Sequence, residues 1–201
     1  MVKFSFAAAA VFVAAMIVGI GAVNVPASAT TMSNPGPDYY PQAAAAYCKS
    51  VGGIVETRTA WYGTNGPNPL RLAGERSWCQ FTLKSDGSRI HLLLDTLYTK
   101  QPTLAALAYY AMLQPGNCQG NPASCYCSLL GGSDQFGGTT GAGGGWVTLD
   151  PHSIDQTLEA CIFPDMSSID SWGLTYHSQS IIRGIDLGTV LRFKNPFKHK
   201  R

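Results

Sequence analysis

A chain of 201 residues with a formal net charge of +2 is long enough for one ordinary domain or two small ones with a real core. Only 13% of its residues are charged and 22 are glycine, which argues against coiled-coil and disordered classes and for a loop-rich exported protein. The near-neutral balance also argues against a dedicated nucleic-acid binder, which needs a basic face to offset phosphate charge.

Met1-Val2-Lys3 is followed by an uncharged apolar run to Val25 and by Ala27-Ser28-Ala29. A basic start, an apolar stretch and a small-x-small site predict a secretory signal over residues 1–29, cleaved after Ala29. The run approaches the thickness of a bilayer, but alanine and glycine dilute it, so cleavage is preferred to a retained anchor. Export, to a periplasm or the extracellular space, decides how the six cysteines at 48, 79, 118, 125, 127 and 161 are read. An even set in an exported chain predicts disulfides. Zinc is the weaker alternative: there is no CxxC pair, and His91, His152, His177 and His199 are scattered singly, so neither a metal nor a cofactor is expected.

Residues 30–40, rich in Pro, Ser, Asn and Gly, read as an extended leader. The first unit, 41–100, opens with Pro41 at a helix-initiating position before an alanine-rich run, and Gly52 supplies a left-handed stop. Residues 54–59 and 77–83 predict strands with a turn-rich loop at 63–74 between them. Asp86-Gly87 predicts a hairpin leading to a third strand over 89–98. Residues 101–117 form a link, with an amphipathic helix over 103–113 capped by Thr103 and stopped by Pro115-Gly116.

The second unit, 118–193, starts its helix at Asn121-Pro122. The glycine-rich stretch 137–145 lacks the Gly-Lys-Ser/Thr ending of a phosphate loop and reads as a flexible loop. Strands are predicted at 146–149, 158–163 and 169–177, with a further one within 181–193, before a basic tail at 194–201. Tyr47-Cys48 precedes Gly52-Gly53 by the same offset as Tyr126-Cys127 precedes Gly131-Gly132. The expected architecture is therefore α+β: two related small units, each a short helix packed on an antiparallel meander and stabilised by disulfides. By analogy between the units, Cys48 pairs with Cys79 and Cys127 with Cys161, which leaves Cys118 and Cys125 to close a loop around the second helix's N-cap.

Asn121-Pro122-Ala123-Ser124, Tyr126-Cys127, Gly131-Gly132 and Cys161-Ile162-Phe163-Pro164-Asp165, with Trp172 downstream, resemble a short exported bacterial domain of unknown function that carries a hemolysin label. The resemblance implies two divergent copies of that domain and no particular mechanism. Met166 stands where that family usually has glycine.

No Gly-x-Ser-x-Gly elbow nominates a serine nucleophile, and bridged cysteines cannot attack. Asp150, Asp155, Glu159, Asp165 and Asp170 could supply the acid pair of a hydrolase. Trp61, Tyr62 and Trp146 flank the two long loops and are the expected binding anchors, since large rigid aromatics bury much area at little entropic cost. For Trp78 and Trp172 a core role is preferred. The favoured reading is a non-catalytic exported binding protein whose partner is an unidentified protein or envelope glycan. The alternatives are a hydrolase and a hemolysin-like membrane-active protein that uses the linking helix or the basic tail.

Overall fold

The computed structural model describes residues 39–134 and 141–197. The expected signal, most of the leader, part of the glycine-rich loop and the end of the basic tail lie outside them. Helix α1 (Tyr39–Ser50) runs into strands β1 (Ile54–Tyr62), β2 (Leu70–Thr82) and β3 (Arg89–Leu93), the expected helix and antiparallel meander. β2 begins inside the stretch read as loop, because Leu70 and Arg71 pair with Tyr62 and Trp61.

After Leu93 the chain does not continue as a strand but turns into α2 (Leu94–Tyr98). Leu94 and Leu97, one helical turn apart, are both buried there. Helix α3 (Leu104–Ala111) is capped as expected by Thr103, whose hydroxyl accepts from Ala106 N at 3.2 Å. It ends at Met112, which adopts φ 45°, before Pro115-Gly116 is reached. Its Ala105, Ala108, Tyr109 and Tyr110 are buried, so most of the linking helix is covered by the protein itself.

Asn121 opens α4 (Pro122–Leu129) by accepting from Ala123 N at 2.9 Å and Ser124 N at 3.3 Å, two of the donors a helix start leaves over. The remaining strands are short: β4 (Gly144–Val147), β5 (Thr157–Leu158), β6 (Ala160–Ile162) and β7 (Ser168–Asp170). Residues 171–177, expected as strand, form α5 (Ser171–Ser178). The Asp170 carboxylate accepts from Gly173 N at 2.8 Å and so starts a helix where β-propensity alone favours extension. Residues 181–193 form no strand either. Asp186 caps the short α6 (Leu187–Val190), accepting from Gly188 N at 2.8 Å.

The seven strands of the described residues belong to one antiparallel sheet, ordered β5-β4-β1-β2-β3-β7-β6. The two expected meanders therefore share a sheet instead of building two, and both lie within one compact unit, Pro35–Arg201. The sheet's edge strands, β5 and β6, are separated in the chain by Glu159 alone. Thr157 and Leu158 pair with Val147 and Trp146, while Ala160, Cys161 and Ile162 pair with Asp170, Ile169 and Ser168. One stretch thus joins both edges and curls the sheet into a small ring, which leaves few backbone groups unpaired.

Alternation along the strands gives this ring two faces. The outer face carries Cys79, Phe81, Ile90, Leu92, Cys161 and Ile169 against Ala44 of α1, Tyr126 of α4 and Leu174 of α5, and forms the main core. Each fully buried Ile or Leu there contributes about 2 kcal/mol. The inner face holds a smaller cluster of Ala60, Trp78, Leu93, Trp146, Leu158 and Ala160.

The three disulfides join the expected partners: Cys48–Cys79, Cys118–Cys125 and Cys127–Cys161, with Cα separations of 5.8, 5.6 and 5.5 Å. Among the described residues no helix is long and apolar enough to cross a membrane.

Candidate functional site

Trp61 and Tyr62 end β1 and are half-buried, opposite Gly145 and Gly144 of β4. Trp146, expected beside them as an exposed anchor, is only 5% exposed. It pairs with Ala60 and Leu158 on the inner face, and its ring lies 5.9 Å from that of Trp78. Closure of the sheet puts this tryptophan inside, so it fills the ring and presents no surface to a partner. The three predicted anchors therefore do not converge on one site.

A different constellation does converge. The inner face is apolar around Trp78 and Trp146 and polar at the other end, where β1, β2, β3 and β7 contribute a transverse row of buried side chains: Arg58, Gln80, His91 and Asp170. Arg58 is 2% exposed. Its Nε and Nη2 donate to Glu56 Oε2 at 3.0 and 2.7 Å, and its Nη1 donates to the carbonyls of Trp146 and Gln156 at 3.1 and 2.7 Å. The guanidinium thus ties β1 to β4 and to the entry of β5, and its charge is met by a carboxylate and two carbonyls, the condition under which a buried cation is tolerated.

His91 continues the row. Its Nδ1 lies 3.3 Å from Asp170 Oδ2, and its Nε2 lies 2.9 Å from Gln80 Oε1 and 3.2 Å from Arg58 Nη2. Both ring nitrogens are engaged by protein groups, so His91 acts here as a structural crosslink between β3, β2 and β7.

Above this row opens a cleft of about 350 Å³, lined among others by Arg58, Arg89, His91, Asp155, Glu159, Asp170, Trp172 and Arg183. Its walls come from four places: the β3 strand, the turn before β5, the first turn of α5 and the loop after α5. Trp172, expected in the core, is half-buried and stands on the wall of this cleft, 6.0 Å from Tyr176.

Of the five acids singled out in the sequence, Asp155, Glu159 and Asp170 reach the cleft. Asp150 and Asp165 instead shape turns. Asp150 accepts from His152 N at 2.9 Å, and Asp165 accepts from Ser167 Oγ at 2.6 Å and from Leu104 N at 2.8 Å. Burial pushes the Glu159 carboxyl above the usual carboxylate range, although Asn121 Nδ2 donates to it at 3.1 Å. Glu159 also borders a wider polar depression of about 550 Å³ lined by Asn65, Asn121, Ser124 and Asp134, and so stands as the partition between the two hollows. Among the described residues no group of three or more His, Cys, Asp or Glu side chains is placed to hold a metal ion.

Sequence reasoning passed over Arg58, Arg89 and Arg183, and weighed His91 only as a zinc ligand. A signal was present: Glu56, Arg58, Arg89 and His91 recur at alternate positions within runs that otherwise read as half-buried strands, so ionisable groups occupy one face of a sheet. Comparison with family models, curated proteins and solved structures yields no match to this chain.

Proposed function

We propose that the chain is an exported, disulfide-stapled binding protein whose contact surface is the cleft at the polar mouth of the sheet ring, and whose ligand is a glycan or an extended protein segment of the cell envelope. The observation that carries this reading is the cleft itself: an aromatic wall, Trp172, stands over a floor of charged groups already satisfied by one another. A concave site with an apolar wall and a few fixed polar groups suits recognition. A floor whose polar atoms are engaged gives shape and rigidity more readily than it gives a free base or nucleophile.

Covalent crosslinking supports the exported setting, since disulfides persist in oxidising compartments. Glu159, with its raised proton affinity beside Asp155 and Asp170, keeps a hydrolase as the second reading. A hemolysin-like action has less support, because α3 buries both of its tyrosines and three of its alanines.

We also infer that 41–100 and 118–193 are divergent copies of one unit, as the resemblance in the sequence implies. Support comes from corresponding pairs: Cys79 lies opposite Leu92 as Cys161 lies opposite Ile169, Ile54 opposite Gln80 as Ser133 opposite Ile162, and Leu92 and Ile169 face each other where β3 meets β7.

The function is tested by titrating the oxidised protein with envelope glycan fragments and following binding by calorimetry, with fragment size analysed afterwards. Trp172→Ala is expected to weaken binding at least about tenfold, a loss of about 1.4 kcal/mol, while Trp61→Ala changes it little. Equal binding by wild type and Trp172→Ala would move the site elsewhere, and shortened fragments would favour the hydrolase.

A further inference from the structure

The cleft holds two cations that the protein leaves unspent. Arg58 on the floor is fully engaged, but among the described residues neither Arg89 nor Arg183 makes an ion pair or a hydrogen bond through its guanidinium. The Arg183 guanidinium lies over the face of Tyr176, 5.1 Å from the ring centroid, and the exposed Asp86 carboxylate is near enough to feel its charge. Both arginines are half-buried, so their charge is less screened than that of a fully solvated side chain.

Their proximity is built in. Gly184 (φ +67°) packs directly on β3: a Cβ at that position would stand 2.7 Å from Ile90 Cγ2 and 2.9 Å from Ile90 N. Gly184 N also donates to Ser88 Oγ at 3.4 Å. The loop after α5 is thereby laid against residues 88–90, and Arg183 and Arg89, the chain neighbours of these contacts, both line the cleft. Two of the carboxylates that line the cleft are committed elsewhere. Asp170 is held by His91 and Gly173 N, and Glu159 by Asn121. Two guanidinium forks that line one cleft, neither of them ion-paired, suit an anionic oxygen pair.

We propose that the cleft recognises an acidic saccharide, with a sugar carboxylate held by Arg89 and Arg183 and a pyranose face laid on Trp172. This rests on the binding reading above and adds the ligand's charge and class. The polarity of the cleft favours a single carboxylate over a polyphosphate. Arg89 and Arg183 line it, but so do Asp155 and Glu159, which would repel a ligand that carried negative charge along its whole length. Those acids and Thr157 suit the hydroxyl groups of a sugar, which donate hydrogen bonds.

The test uses the full oxidised protein and three probes of similar length: a neutral-backbone trisaccharide ending in one uronic acid, its neutral methyl ester, and a glycerol-phosphate oligomer. Tryptophan fluorescence or calorimetry reports affinity. The acid is expected to bind at least about tenfold more tightly than the ester, as charge-assisted bonds to two arginines imply, and this preference should shrink as salt is raised. In Arg89→Gln/Arg183→Gln the ratio of acid to ester affinity should fall to about one, with thermal unfolding run alongside. The salt series on wild type tests the same point if the variant fails to fold. Equal affinity of wild type for acid and ester overturns the inference and leaves the binding function standing. Tightest binding of the phosphate oligomer overturns the saccharide assignment. Failure of every probe overturns the acidic-saccharide inference alone, and the binding function falls only if envelope glycan and protein fractions also fail to bind.

Discussion

Cys48 and Cys127 each stand in the last turn of a helix, and each is followed by a glycine pressed against the disulfide its cysteine makes. Gly53 N donates to Cys48 O at 2.9 Å, and Gly132 N donates to Cys127 O at 3.0 Å. A Cβ on Gly53 would enter the radius of Cys79 Sγ, and one on Gly132 that of Cys161 Sγ. Beyond these glycines the two regions part. Ile54 begins a nine-residue strand, whereas Ser133 makes an isolated bridge to Ile162. Where β3 meets β7, antiparallel pairing sets His91 beside Asp170 at one end and Leu93 opposite Ser168 at the other. The shared device fixes helix to sheet, and the differences between the regions make one mouth of the ring polar and the other apolar.

The sharpest way to probe this comparison is to remove the crosslinks in turn. Cys48→Ala/Cys79→Ala and Cys127→Ala/Cys161→Ala open loops of similar sequence separation, 31 and 34. Each should lower stability by about 3–4 kcal/mol in denaturant unfolding, whereas Cys118→Ala/Cys125→Ala, with a separation of 7, should cost about 2 kcal/mol. A large inequality between the first two would mean that the helices are not anchored alike.

Gly53→Ala and Gly132→Ala test the contact itself. In each the new methyl must displace a buried sulfur, and overpacking of this kind costs about 1–3 kcal/mol. Parallel losses of thermal stability are expected, and an unaffected Gly132→Ala would show that the second helix sits more loosely than the first.

The smallest expected effect is a gain. The hairpin between β2 and β3 turns at Gly87 with φ +73°, while the one between β6 and β7 turns at Met166 with φ 64°. A left-handed conformation costs a side-chain-bearing residue about 1 kcal/mol, so Met166→Gly should raise stability by up to that amount, and Gly87→Ala should lower it. No gain in urea unfolding would place a compensating contact at the Met166 side chain, which is 55% exposed.

Much of the framework was legible because it is local. Asn121 before Pro122 announces a helix start, the glycine pairs announce helix stops, and the repeated Tyr-Cys and Gly-Gly spacing is enough to pair all six cysteines. Local signals failed where a distant partner outweighed them. Residues 171–177 look extended until the Asp170 side chain turns back to cap a helix, and Trp146 looks exposed beside a glycine-rich loop until Ala60, Trp78 and Leu158 close over it.

By itself, then, the sequence determined the α+β class, the antiparallel meander after the first helix and the covalent framework, since caps, turns and cysteine spacing act over a few residues and carry their own chemistry. Only the tertiary structure decided that residues 157–162 serve both edges of one sheet, and hence that Arg58, His91, Glu159, Asp170 and Trp172 meet. A period of two shows that a strand has two faces, but which face becomes the interior of a ring depends on where a strand far away in the chain completes the circuit.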